Sequence, residues 1–283
     1  HALSLPLQWL NVWVQAPRRA LPRPTVSVGN LAFGGRAKTP LVAELARLAR
    51  LDGHRPVILI RGYPVVSGRR PPVVLELAIA ERGRGLSEGP IEGDDLRPLE
   101  APWLAALRES SSAPRMGPAH AHSRWAGDEA PWLAAVTGCP VIAHPDRVAS
   151  AALALCRWPD TTLFLLDDGL QGRVAPTIEL AVIDRTRDLG RLVGLRESPG
   201  RLQRVDLVVE LGRQLHRLPG RLRDLRTGED RDADSVSESL TLAAGVGDPD
   251  SVAVLAGQIG LAVGARLRLR DHHGPSPRRL RAT

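Results

Sequence analysis

The chain has 283 residues, 43% hydrophobic and 24% charged, with 27 Gly and 24 Pro, a balance that excludes a collagen-like, coiled-coil or intrinsically disordered polymer. No run in it reaches the about 18 apolar residues of a spanning helix, which excludes a multi-pass membrane protein. The net charge of +7 is carried almost wholly by Arg, because Lys38 is the only lysine; a basic surface favours anionic partners.

Residues 1–24 place Leu3, Leu5, Leu7, Trp9, Leu10, Val12, Trp13 and Val14 ahead of Arg18, Arg19 and Arg23. Trp9 and Trp13 share a helix face, and the apolar part is too short to span a bilayer. The segment is therefore predicted as a helix lying in a membrane interface, where Trp and Arg both settle. The positive charge follows the apolar run, the reverse of a cleavable signal peptide. The alternative is a helix packed on its own domain.

Thr25 to Val28 alternate as a strand, GNLAFGGRAK follows as a loop, and Leu41, Val42, Leu45, Leu48 and Ala49 recur at helical spacing until Gly53. PVILIRGY is then a continuous apolar run of the kind buried in a parallel sheet. Strand, Gly-rich loop, helix and strand form a βαβ unit. Residues 64–125 read poorly; they hold PPVVLELAIAE, strand or short helix, and EAPWLAAL at 100–107, which recurs as EAPWLAAV at 129–136.

Order returns with CPVIAH (139–144), a helical DRVASAALALCR, and the strands TTLFLLDD, IELAVID and VDLVVELG. The pattern predicts an α/β fold with a doubly wound, mostly parallel sheet of P-loop type. We expect an interfacial helix over 1–24, a nucleotide-binding core over 25–212, a linker over 213–238 and a small strand–helix–strand module over 239–283. Cys139 and Cys156 make neither a disulfide framework nor a zinc spacing and read as small core residues of a reducing compartment.

A parallel sheet binds ligands at the carboxyl ends of its strands. Three chemistry-bearing segments fall there: GGRAKT (Gly34, Gly35, Arg36, Ala37, Lys38, Thr39), RGY (Arg61, Gly62, Tyr63) and the Asp167–Asp168 pair. A Gly-rich loop opening a helix aims its N–H groups at phosphate, a lysine there reaches the terminal phosphates, and a threonine hydroxyl ligates Mg²⁺. Asp167 and Asp168 are placed to hold that Mg²⁺ directly or through water. A position that keeps lysine where arginine stands everywhere else points to a need for a compact point charge. The loop departs from GxxxxGK[ST], with Ala32 and Ala37 where that pattern has glycine and the residue before the lysine. Dispersed arginines, one Tyr and two Phe argue against a nucleic-acid reader.

The order of these segments resembles one family, the tetraacyldisaccharide 4′-kinases of lipid A biosynthesis. SVGNLAFGGRAKTPLV looks like its strand and phosphate loop; RGY, GDEA (127–130), LLDDGLQ (165–171), the LRESPGRLQRVDLVV run (195–209), AGVGDP (244–249) and DHH (271–273) follow in family order. The resemblance implies transfer of the γ-phosphate of ATP, with Mg²⁺, to the 4′-hydroxyl of an acylated glucosamine disaccharide phosphate at the cytoplasmic face of the bacterial inner membrane. It implies Asp128 as the base on the hydroxyl, assisted by His272, with Arg61, Tyr63, Glu129 and Gln171 contacting or supporting substrate. Where the family has a glycine and a histidine, this chain has Ala37 and Gly172; the run before LRE is shorter, and the sequence ends ten residues after His273. A divergent, C-terminally truncated member is the expectation. Two alternatives remain at this level: a catalytically impaired descendant, and a P-loop ATPase of the partition or metallochaperone type working through a protein partner.

Overall fold

The structure is a computed structural model that describes residues 18–32, 35–62, 73–78, 85–87, 126–189, 195–217, 222–223, 227, 229–244, 246 and 248–269. The expectations on residues 1–17, on Gly34, Tyr63, the first EAPWLAA copy and His272 lie outside the described residues.

Strands run in chain order as β1 (Arg19–Ala20), β2 (Thr25–Asn30), β3 (Pro56–Ile60), β4 (Val73–Ala78), β5 (Gly85–Ser87), β6 (Val141–Ala143), β7 (Leu163–Asp167), β8 (Val174–Ala175), β9 (Ile178–Ile183), β10 (Leu207–Glu210), β11 (Leu222–Arg223), β12 (Asp230–Arg231), β13 (Leu240–Ala244) and β14 (Val263–Arg268). The helices are α1 (Lys38–Leu51), α2 (Glu129–Thr137), α3 (Arg147–Arg157) and α4 (Pro249–Gln258). An eight-stranded sheet has the order β10-β9-β2-β7-β3-β6-β4-β5. Its centre is parallel throughout, whereas β4 pairs antiparallel with both β6 and β5. PPVVLELAIAE, ambiguous between strand and helix, thus supplies an antiparallel strand to one side of the sheet.

The central strands are buried on both faces, which is why they read as unbroken apolar runs rather than as alternating ones. Val57, Leu59, Phe164, Leu166 and Ile142 form one layer with Ala149, Ala151, Leu153 and Ala154 of α3. Their alternate neighbours Ile58, Ile60, Leu165 and Val141 are equally buried and turn to the opposite face by the two-residue period of a strand. The sheet is therefore covered on both sides.

Helix α3 begins where the sequence supplies a cap: the Asp146 carboxylate accepts from Val148 N and Ala149 N at 3.0 Å each, satisfying two of the orphan donors of the first turn. In α1 the buried positions are Val42 and Ala46. Leu48, expected on the inner face, is 47% exposed, because the face that meets the sheet is centred one position round from the leucines.

Residues 18–24 are extended rather than helical. Arg19 and Ala20 pair in parallel with Val174 and Ala175, and Pro22 and Pro24 deny the segment the N–H groups of a helix turn. Within the segment expected as an interfacial helix, these residues are a correction.

Two compact units divide the chain. Among the described residues, one comprises Arg18–Ala32 with Ala37–Val209, and the other comprises Gly35 and Arg36 with Glu210 onward. In the second unit β13 and β14 lie parallel, joined through α4, with Ala244, Ala253, Leu261 and Leu269 buried. The stretch 213–238, read from sequence as a linker, carries the β11–β12 ribbon and a short 3₁₀ turn at Ala233–Ser235.

Candidate functional site

The site of the first unit is built at the carboxyl ends of β2, β3 and β7, where a parallel sheet places ligands. Strand β2 ends at Asn30, and β7 ends at Asp167 beside it in the register that pairs Val28 with Asp167. Helix α1 starts at Lys38, so lysine and threonine stand in its first turn, over those strand ends.

Lys38 Nζ donates to Asn30 Oδ1 at 2.8 Å and lies 3.0 Å from Asp168 Oδ1. Asn30, fully buried, donates in turn to the Ala32 carbonyl at 2.6 Å, while Gln171 Nε2 donates to the Asn30 carbonyl at 3.1 Å. The ammonium is held in place by an asparagine that is itself held from both sides. Asp168 also takes a two-pronged contact from Arg196 Nη1, at 2.7 and 3.0 Å. Burial pushes the Asp168 carboxyl up, but Lys38 and Arg196 outweigh it and hold the group at about 2. It is an anion locked between two cations.

Asp167 is in the opposite situation. Thr39 Oγ1 lies 2.8 Å from Asp167 Oδ2 and 3.1 Å from Glu129 Oε1. The hydroxyl has one proton and donates to one carboxylate at a time. Burial drives Asp167 up to about 7, and the charge of Glu129 adds to the rise. Its Oδ1 is buried with no hydrogen-bond partner among the described residues. Two carboxylates and a hydroxyl thus converge around an acceptor left unsatisfied, a set of hard oxygens that suits Mg²⁺. No group of three or more His, Cys, Asp or Glu able to hold a metal occurs among the described residues, so such a cation would complete its shell with phosphate and water oxygens.

Strand β3 brings in RGY. Gly62 takes φ +73°, and a Cβ there would stand 3.4 Å from both the Ala126 carbonyl and the Ala143 Cβ. That close approach lays the exit of β3 against Ala126, the residue before GDEA. Asp128 is exposed at the N-terminus of α2 with Glu129 in the first helical turn; one helix end therefore presents both. Arg61 is exposed. Near it, Arg147 donates from Nη2 to the Asp167 carbonyl at 3.3 Å, and burial followed by the charge of Arg61 lowers its guanidinium to about 10.

Of the sequence-predicted residues, the structure brings together Lys38, Thr39, Glu129, Asp167, Asp168 and Gln171. Gly35 and Arg36 group with the second unit, and Ala37 is left-handed at φ 56°. Sequence reasoning missed Asn30, Arg147 and Arg196 as site residues. Arg196 stands in the LRE segment and Asn30 in the SVGNLAFGGRAKTPLV segment that the family order had flagged, neither singled out; Arg147 carries no motif of its own.

The chain is similar to known proteins in sequence and in fold. A family model described as Tetraacyldisaccharide-1-P 4′-kinase matches residues 7–82 and 108–283. A tetraacyldisaccharide 4′-kinase of Chromobacterium violaceum is 33% identical over 98% of this chain and 78% of its own length. One from Aromatoleum aromaticum is 33% identical over 74% of this chain, and one from Nitrosococcus oceani 34% identical over 72%. The matched parts span about half the length of these last two relatives, 54% and 49%. In fold, the chain is similar to LpxK of Aquifex aeolicus, solved in complex with ATP, with a TM-score of 0.62 and 22% identity over 96% of this chain and 84% of that one.

Proposed function

The chain belongs to the tetraacyldisaccharide-1-phosphate 4′-kinase family, and on that premise we propose that it transfers the γ-phosphate of ATP to the 4′-hydroxyl of a tetraacyldisaccharide 1-phosphate. The observation that carries this reading is the junction of α1 with the strand ends: the lone lysine and the threonine after it meet Asn30, Asp167, Asp168 and Glu129 within 3.1 Å.

Phosphoryl transfer asks a protein for positioning and charge neutralisation more than for covalent chemistry. Lys38 supplies a compact positive charge at the phosphate loop, and Asp168 and Asn30 fix where that charge stands. Thr39 and Asp167, with Glu129 behind them, are the residues that would hold Mg²⁺. Such an ion would supply positive charge to offset the charge that develops on the leaving diphosphate. Asp128 accepts the proton of the 4′-hydroxyl as its oxygen attacks the γ-phosphorus and ADP departs. His272 assists Asp128. Arg61 and Tyr63 orient the disaccharide phosphate, and Gln171 supports Lys38 through Asn30.

The acceptor carries several acyl chains, so the enzyme works at a membrane surface, and the apolar, Trp-containing residues before Arg18 serve as its contact with the cytoplasmic leaflet. No described helix is long and apolar enough to cross a membrane. The partition-type ATPase alternative explains the phosphate loop but neither GDEA nor the match across residues 108–283.

The test is Lys38→Ala. Transfer of labelled phosphate from ATP to the lipid acceptor in detergent is expected to disappear, with the circular dichroism of the folded protein retained and melting lowered only by the loss of the Lys38–Asp168 pair. Undiminished transfer by that variant would remove the phosphate-loop reading.

A further inference from the structure

Gly35 and Arg36, in the middle of the GGRAKT loop, group with the C-terminal unit rather than with the strand and helix that the loop joins. One side chain of that unit reaches them. Arg217 Nη2 donates to the Gly35 carbonyl at 3.0 Å, and Arg217 Nη1 lies 3.8 Å from Asp248 Oδ2. Asp248, 13% exposed in its side chain, belongs to the AGVGDP segment and immediately precedes α4. The Arg217 side chain is three-quarters buried. Arg36's own guanidinium is 3.5 Å from the same carbonyl, at the limit of a useful hydrogen bond.

The consequence lies in the peptide plane. In a trans peptide the C=O and the following N–H point in opposite directions. Holding the Gly35 carbonyl toward Arg217 therefore turns the Arg36 N–H to the other side of the loop backbone. A loop that cradles phosphate works through the direction of its N–H groups. Glycine imposes little direction of its own, so an external hydrogen bond decides it. Arginine suits the task, since its fork donates to Gly35 through one nitrogen and faces Asp248 through the other.

We propose that Arg217 is a positioning residue for the nucleotide: anchored on Asp248, it sets the Gly35–Arg36 peptide so that the loop presents its amide to a phosphate oxygen. The inference rests on the phosphate-loop reading given above. It assigns to the stretch 213–238, read from sequence as a linker, a role in nucleotide affinity.

Titration of MgADP into the full chain without lipid, with wild type, Arg217→Ala and Arg217→Lys, tests this. Arg217→Ala is expected to weaken MgADP roughly tenfold, the effect of one lost charge-assisted hydrogen bond. Its KM for ATP should rise in parallel, with the KM for the lipid acceptor and the nucleotide-free melting temperature unchanged. Arg217→Lys, with one ammonium in place of the fork, should fall between the two. Wild-type MgADP affinity in both variants would overturn the proposal. So would a loss in Arg217→Ala accompanied by an equal rise in the lipid KM and a lower melting temperature, which marks a merely structural residue. A wild type that binds MgADP with this Arg217 dependence but transfers nothing to lipid would contradict the kinase reading and leave the role of Arg217 standing. A wild type that does not bind MgADP would overturn both.

Discussion

Asp167 and Asp168 are adjacent in sequence yet differ in their acid chemistry by about five powers of ten, at about 7 and about 2. The difference is environmental: Asp168 lies between Lys38 and Arg196, while Asp167 is fully buried beside Glu129, and the Thr39 hydroxyl and the charge of Lys38 do not offset that. For Asp167 the folded value stands above the ordinary 3.8. The stability this group contributes is therefore present below about pH 4 and lost as pH rises through about 7. Asp168 works in the opposite sense, its contribution being present above 3.8 and lost as pH falls through about 2. Asp167→Asn removes the buried charge at every pH. In Mg²⁺-free denaturant unfolding, we expect the variant to gain on wild type between pH 5 and pH 8. A stability difference that stays constant over that range would contradict the burial of an ionising Asp167. At this scale, Lys38, Thr39 and the acidic pair were legible because residue type, spacing and rarity coincided. Asn30 and Arg147 were not, since nothing local distinguishes an asparagine that orients a lysine from one that ends a strand.

The decisive element is the passage from β2 to α1. Ala37 precedes the helix in the left-handed region at φ 56°, a conformation that costs an L-residue about 1–2 kcal/mol and glycine much less. The family's glycine at this position is thus explained by backbone geometry, and the alanine is tolerated under strain. Ala37→Gly is expected to stabilise the protein by about 0.5–1 kcal/mol, the strain relief less the added freedom of the unfolded chain. Chemical denaturation measures it, and a destabilised variant would mean that the loop does not hold that conformation. A second constraint sits within β2: a Cβ on Gly29 would meet the Leu170 Cβ and come within 2.9 Å of Leu170 N. The SVGN strand therefore packs directly on the DDGLQ segment and keeps lysine and carboxylates in register. Apolar runs made the central strands readable, because strands buried on both faces carry no other pattern. Element ends were harder. Within the segment 1–24, expected as a helix, residues 18–24 are extended, where prolines and the pairing with β8 decide, and PPVVLELAIAE left β4 undetermined until pairing with β6 and β5 fixed it.

On the scale of the whole molecule, one unit carries the lysine and threonine of α1 over the strand-end carboxylates, and in the other Arg217 donates to the Gly35 carbonyl. The compact units part at Val209 and Glu210, whereas the sequence reading ended the core at residue 212. The grouping of Gly35 and Arg36 with the far unit was invisible to it, since no local pattern reports a hydrogen bond to Arg217 across 182 positions. Membership of the family and the strand-end cluster converge on one reaction, and its product is specific. Purified protein incubated with Mg²⁺, ATP and tetraacyldisaccharide 1-phosphate in detergent is expected to yield a bisphosphorylated lipid carrying the new phosphate at the 4′ position, located by mass spectrometry of the fragmented product. Protein that is folded and binds MgADP, yet leaves the acceptor unmodified, would contradict the assignment.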